Sequence, residues 1–133
     1  MLDASAAIAW FFEDERDDES IAMAKTVSEN GAIVPALFRW EVQNALLMAV
    51  RRKRLAFDQA ADHLRAIDEL GLVVDSLVLT SPLTAGLGLA QRFELTAYDA
   101  AYLELAVRRS APIMTRDDKL MSAAANLDVL WKA

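Results

Sequence analysis

The chain of 133 residues contains no cysteine. Disulfides, thiolate zinc sites and cysteine nucleophiles are therefore excluded, and the composition fits a reducing compartment such as the cytoplasm. Glycine and proline are scarce, at four and three residues. With a hydrophobic content of 55%, that scarcity argues for a packed globular chain and against a disordered one. There is one histidine, His63, flanked by Asp62 and Leu64 in a helical stretch. It reads as an exposed helix residue, which leaves no basis for a Ser-His-Asp triad or a histidine-pair ribonuclease. No glycine-rich phosphate loop occurs. No apolar run approaches the roughly 20 residues that span a bilayer. The opening MLDASAAIAWFF lacks the basic start of a signal peptide. A cytoplasmic chain with no membrane segment is expected. Basic charge is also short: the formal net charge is −6. Taken alone this opposes nucleic-acid binding. Net charge governs solubility and encounter more than the chemistry of a site, however, and bound cations would neutralise acids.

What is present suits a single domain over 1–133. Residues 4–12 read as a short apolar helix with Ser5 as its cap. The acidic stretch 13–19 reads as a solvated turn entering a helix that ends near Asn30-Gly31. Ala32-Ile33-Val34, stopped by Pro35, reads as a buried strand. Residues 36–54 form a strong helix closing in Arg51-Arg52-Lys53-Arg54, cations that suit a helix C-terminus. A helix over 58–70 ends at Gly71 and a strand follows at 72–74. Helices are expected over 82–93, with Pro82 in the first turn, and over 99–109. A strand at 112–115, a helix over 117–126 and a strand at 127–130 complete the chain. Strands alternating with helices imply a parallel sheet covered on both faces. The first strand has only Met1 and Leu2 before Asp3, so either it is cut short or the true start lies upstream.

Four acids fall where the chain changes its structural habit: Asp3, Glu41, Asp99 and Asp117. Ligand sites in open parallel sheets lie beyond the carboxyl ends of the strands, where Asp3 and Asp117 fall. Each also has a plainer reading, since helix first turns favour acids. Thr96-Ala97-Tyr98-Asp99 has the spacing of a capping box. Asp118, about 100° round the helix from Asp117, reads as a solvated first-turn acid. Glu41 is harder to dismiss. Its helical neighbours are Leu37, Phe38, Asn44 and Ala45, and no cation stands four residues away on either side. A carboxylate there needs a partner: a metal, a metal-bound water oriented with help from Asn44, or a distant arginine. Acids gathered together raise one another's pKa unless a cation intervenes. Mg²⁺ or Mn²⁺ takes carboxylate and water oxygens without histidine or cysteine, and can activate water against a phosphodiester.

L-D-A-S-A at 2–6, W-E-V-Q-N-A-L at 40–46, L-T-A-Y-D-A-A-Y-L at 95–103 and T-R-D-D-K-L at 115–120 together resemble the motifs of PIN-domain ribonucleases, and most closely the VapC toxins of VapBC toxin–antitoxin pairs. Motif order and spacing are kept over essentially the whole chain. The resemblance implies a three-layer α/β/α fold with a parallel sheet of about five short strands. It implies an endoribonuclease dependent on Mg²⁺ or Mn²⁺ that hydrolyses RNA with a metal-activated water. The family's metal-holding aspartates fall on Asp3, Asp99 and Asp117, and its helix glutamate, which acts nearby, falls on Glu41. Ser5 and Thr115 match supporting hydroxyls. A homodimer and a small VapB-type antitoxin are implied as partners, with Trp40 and Arg51–Arg54 available to a dimer, an antitoxin or RNA. Two other readings keep the fold and change the role: an RNA-processing nuclease outside toxin–antitoxin pairs, or a catalytically silent binding module.

Overall fold

Short apolar segments line up in parallel here, buried at Leu2, Val34 and Ile113, whereas Val73 and Val74 stay exposed. The computed structural model describes residues 1–76 and 83–133. Two regular strands, β1 (Ile33–Pro35) and β2 (Val73–Asp75), pair in parallel in the register Ile33 with Val73 and Pro35 with Asp75. Three further segments extend the same sheet. The Leu2 N–H bonds the Ile33 carbonyl at 3.1 Å, Leu2 bridges to Met114, and Ile113 bridges to Leu130, both in parallel. The expected five strands are thus five chain segments, of which only two are regular strands among the described residues. The reason is length: one or two residues make one or two ladder bonds.

The first strand is represented by Leu2. That side chain is fully buried, and the Asp3 N–H bonds the Met114 carbonyl at 2.9 Å. The helices are α1 (Ala4–Ala9), α2 (Asp18–Asn30), α3 (Phe38–Arg51), α4 (Phe57–Glu69), α5 (Leu83–Phe93), α6 (Ala97–Arg109) and α7 (Asp118–Asn126). One packing group links α2 to α1, α1 to α3 and α3 to α4; another joins α5 and α7 through α6, which also touches β1. The apolar spacing on α3 and α6 explains the packing. Phe38, Val42, Leu46 and Ala49 line one face of α3, and Tyr102, Leu103, Leu105 and Ala106 are buried on α6.

Several helix ends differ from expectation. The cap of α1 is Asp3 rather than Ser5, because the Asp3 carboxylate accepts from the Ser5 N–H at 3.3 Å. The acidic stretch holds a 3-10 turn at Glu13–Glu15 before Asp17 caps α2 in a reciprocal box with Ser20. Helix α3 stops at Arg51, and the chain turns at Lys53, whose φ is 59°. Helix α6 opens at Ala97, two residues before Asp99, because the Thr96 hydroxyl accepts the Asp99 N–H. Gly31 and Gly71 take φ of 69° and 62° after α2 and α4, as expected of residues that end helices. Pro82 lies outside the described residues. No helix among them is long and apolar enough to cross a membrane.

Candidate active site

Asp3 is the centre of the site and is buried, at 5% exposure. Its Oδ2 accepts from the Thr115 hydroxyl at 2.8 Å, from the Ser5 hydroxyl and from the Ser5 N–H. Each hydroxyl is held in turn from behind. The Asp117 N–H donates to Thr115 Oγ1 at 3.1 Å, and the Arg116 N–H donates to Ser5 Oγ at 2.8 Å. A hydroxyl has one hydrogen, and both are spent on Asp3. The 3.3 Å approach of Ser5 Oγ to Thr115 Oγ1 is therefore a contact between two oriented donors. The sheet carries this arrangement, because Asp3 and Thr115 follow directly on the paired residues Leu2 and Met114.

Glu41 lies in the first turn of α3 and is half-buried. Its Oε2 accepts a hydrogen bond from the Tyr102 hydroxyl on α6. That is the partner the sequence demanded, in place of the distant arginine considered for it. Asn44 does not supply it: this side chain is exposed, and no hydrogen bond joins it to Glu41. Burial pushes the Glu41 carboxyl above its ordinary range, the Tyr102 bond pulls it back, and the charges of Asp3 and Asp99 push it up again. Burial likewise raises Asp3, against the lowering effect of the Ser5 and Thr115 hydroxyls. Glu41 thus stands within the field of both Asp3 and Asp99.

Asp99 is half-exposed at the third position of α6. Its Oδ2 accepts from the Thr96 hydroxyl at 2.6 Å, while its N–H donates back to that hydroxyl at 3.1 Å. This is a cap of the expected spacing, in which the carboxylate meets the hydroxyl rather than the cap's backbone N–H. Asp117 is exposed and caps α7, with Oδ1 accepting the Leu120 N–H at 2.8 Å. Its backbone N–H, not its carboxylate, makes the bond to Thr115. Asp118 instead lines a surface depression with Phe93, Glu94, Lys119 and Ser122.

Other candidate residues are committed elsewhere. Arg54 folds back over the Phe12 ring at 4.2 Å and pairs with Asp14 and Glu15 at 3.1 and 3.4 Å. One member of the basic cluster therefore anchors the acidic stretch of its own chain. Arg116 grips Asp17 with both terminal nitrogens, at 2.9 and 2.8 Å. His63 is half-buried rather than exposed, because it stacks on Phe11 at 4.3 Å. Sequence reasoning missed Tyr102. It follows Asp99 by three residues, the spacing that puts both on one side of a helix, and that was the available signal.

The site offers only carboxylate and hydroxyl oxygens, a hard donor set suited to a divalent cation that binds oxygen. The raised pKa of Glu41 points the same way, since a cation would offset its burial and the charges of Asp3 and Asp99. Among the described residues, no three acids stand close enough together to hold a metal ion between them.

The PIN domain family matches residues 1–126. Ribonuclease VapC3 of Pyrobaculum aerophilum is 28% identical over 120 residues, covering 90% of both chains. Ribonuclease VapC1 of Mycobacterium tuberculosis is 30% identical over 104 residues, covering 78% of this chain and 76% of its own. The crystal structure of PAE2754 from Pyrobaculum aerophilum superposes with a TM-score of 0.70 at 24% identity, covering 92% of this chain and 82% of that one, a likeness of fold. The chain belongs to the PIN-domain family, generally divalent-metal-dependent nucleases, and within it to the VapC-type ribonucleases.

Proposed function

We propose that the chain is the toxin of a toxin–antitoxin pair, an endoribonuclease using Mg²⁺ or Mn²⁺ and restrained by a VapB-type antitoxin. One observation carries the reading: a buried aspartate, gripped by two oriented hydroxyls at the sheet's carboxyl end, acts together with Asp99 on the charge of Glu41. Asp3, Asp99 and Asp117 are the residues to hold the metal. A hydrated ion that keeps several waters suits acids spread around a cleft better than a bare one. When bound, the ion supplies an acidified water and shields the charge that develops on phosphate. Asp3 Oδ1, which takes none of the Ser5 and Thr115 bonds, is the oxygen left to meet it. Ser5 and Thr115 keep that carboxylate from turning. Glu41 works at slightly greater distance, through water, and its raised pKa suits a group that accepts a proton.

Attack in line on phosphorus leaves a 5′-phosphate and a 3′-hydroxyl. The substrate's 2′-hydroxyl has no histidine base to activate it here, since His63 is stacked on Phe11. A homodimer is part of the same reading, supported by Trp40, which is 72% exposed on α3. The test is cleavage of RNA with mapped ends. Parent protein cuts with Mg²⁺ or Mn²⁺ and stops in excess chelator, Asp3→Asn and Asp99→Asn lose cleavage, and a co-expressed antitoxin suppresses it. Cleavage that persists in chelator, or in Asp3→Asn, overturns the assignment.

A further inference from the structure

Tyr102 has no exposed surface, yet its ring ends in a polar group at the candidate site. A phenol buried in a core must place its O–H on an acceptor. Here the acceptor is Glu41 Oε2, 61 positions away in sequence and on another helix. Burial, the Glu41 carboxylate and the nearby Asp3 charge all favour the protonated phenol, in keeping with its place as the donor to Glu41.

We propose that Tyr102 is a positioning residue for Glu41, its hydroxyl fixing one carboxylate oxygen so that the other faces the metal and its water. The proposal rests on the nuclease reading above. Its consequence is geometric. Asp99 and Tyr102 sit three residues apart on α6, so one rigid helix sets both the Asp99 carboxylate and the orientation of Glu41 on α3. Without the hydroxyl, Glu41 keeps its place in the chain and loses its direction. A carboxylate turned by one rotamer no longer meets the reacting water at hydrogen-bond reach.

The test is Tyr102→Phe, which keeps the buried ring, with Glu41→Gln and the double variant. Hydrogen bonds to charged groups of this kind support a loss of about tenfold or more in kcat with KM for RNA little changed. Manganese affinity, measured by calorimetry without RNA, falls several-fold in Tyr102→Phe. Adding Tyr102→Phe to Glu41→Gln costs nothing further in either readout. Because the sequence has only two tyrosines, the Cζ resonance of Tyr102 in ¹³C-tyrosine-labelled protein is a reporter that does not depend on the Phe variant folding. In Glu41→Gln it shifts while that of exposed Tyr98 stays. Glu41→Gln losing activity while Tyr102→Phe keeps parental kcat and manganese affinity overturns the proposal and leaves the nuclease reading intact. An unmoved Tyr102 resonance in Glu41→Gln also overturns it. Full activity in Glu41→Gln overturns the assigned role of Glu41 and the proposal with it.

Discussion

Replacing Asp3 with asparagine exchanges stability for function, and the sign of the exchange depends on metal. In the metal-free protein a buried carboxylate sits near Glu41, and its pKa is raised because burial outweighs the favourable hydrogen bonds from Ser5, Thr115 and the Ala4 backbone. Asparagine keeps an oxygen for the Ser5 and Thr115 hydroxyls, caps a helix about as well as aspartate, and carries no charge. The expected gain is that of removing a strained functional group, about 0.5–2 kcal/mol. For a chain of this size each kcal/mol is worth roughly 3–5 °C, so Tm rises by about 1.5–10 °C in chelator. With manganese at about 100 times its Kd the parent gains ~2.7 kcal/mol by mass action, whereas the variant, lacking a ligand, gains little. The order of stability therefore inverts between chelator and manganese. The pH dependence follows from the direction of the shift. A raised folded pKa means that ionised Asp3 costs stability at neutral pH, and that the cost disappears as pH falls through the folded value toward the ordinary one. In chelator, the gap between variant and parent closes on acidification. Differential scanning calorimetry over that grid is the assay. A variant less stable than the parent in chelator, or one with the parent's manganese shift, refutes the argument.

Thr115→Val keeps the shape of a side chain that is 1% exposed, but removes the donor to Asp3 and the acceptor of the Asp117 N–H. It should cost about 1–3 kcal/mol in urea unfolding and weaken manganese binding; unchanged metal affinity contradicts the role given to the hydroxyl. Asp75, at the end of β2, is buried and takes bonds from Arg108 at 2.8 Å and Arg109 at 2.6 Å. Asp75→Ala should cost about 3 kcal/mol by leaving two guanidinium groups without it, while cleavage well below Tm is unchanged. The Arg108 bond foremost, then Arg109, holds the Asp75 carboxyl below its ordinary range. That stability is complete above the ordinary value and is lost as pH falls through the folded one, so parent and Asp75→Ala converge only in acid.

The helices were largely legible because apolar spacing on α3, α4 and α6 encodes a buried face directly. Their ends were less so. Ser5 and Asp3 are both good caps, and only the backbone turn decides between them. Strand order was not legible: Leu2, Ile113 and Leu130 join the sheet through single bridges, too short for any pattern to register. The site residues Asp3, Glu41, Asp99 and Asp117 stood out as acids in unusual places. Asn44 makes no hydrogen bond to Glu41, since adjacency on a helix does not say which way a side chain turns. Arg54 read as part of a free basic cluster because nothing local shows that the chain doubles back onto Asp14 and Glu15.

What the sequence determined by itself was the chemistry available: no thiol, one histidine, and carboxylates at points where only oxygen-bound cations or helix ends could account for them. Tertiary structure decided what each carboxylate is held by. Asp3 is gripped from a strand end 112 residues away and Glu41 from a helix 61 residues away. Composition and periodicity report local forces, namely burial along a face and capping at an end. A hydrogen bond between distant residues exists only once the sheet has closed, and that is where this site acquires its geometry.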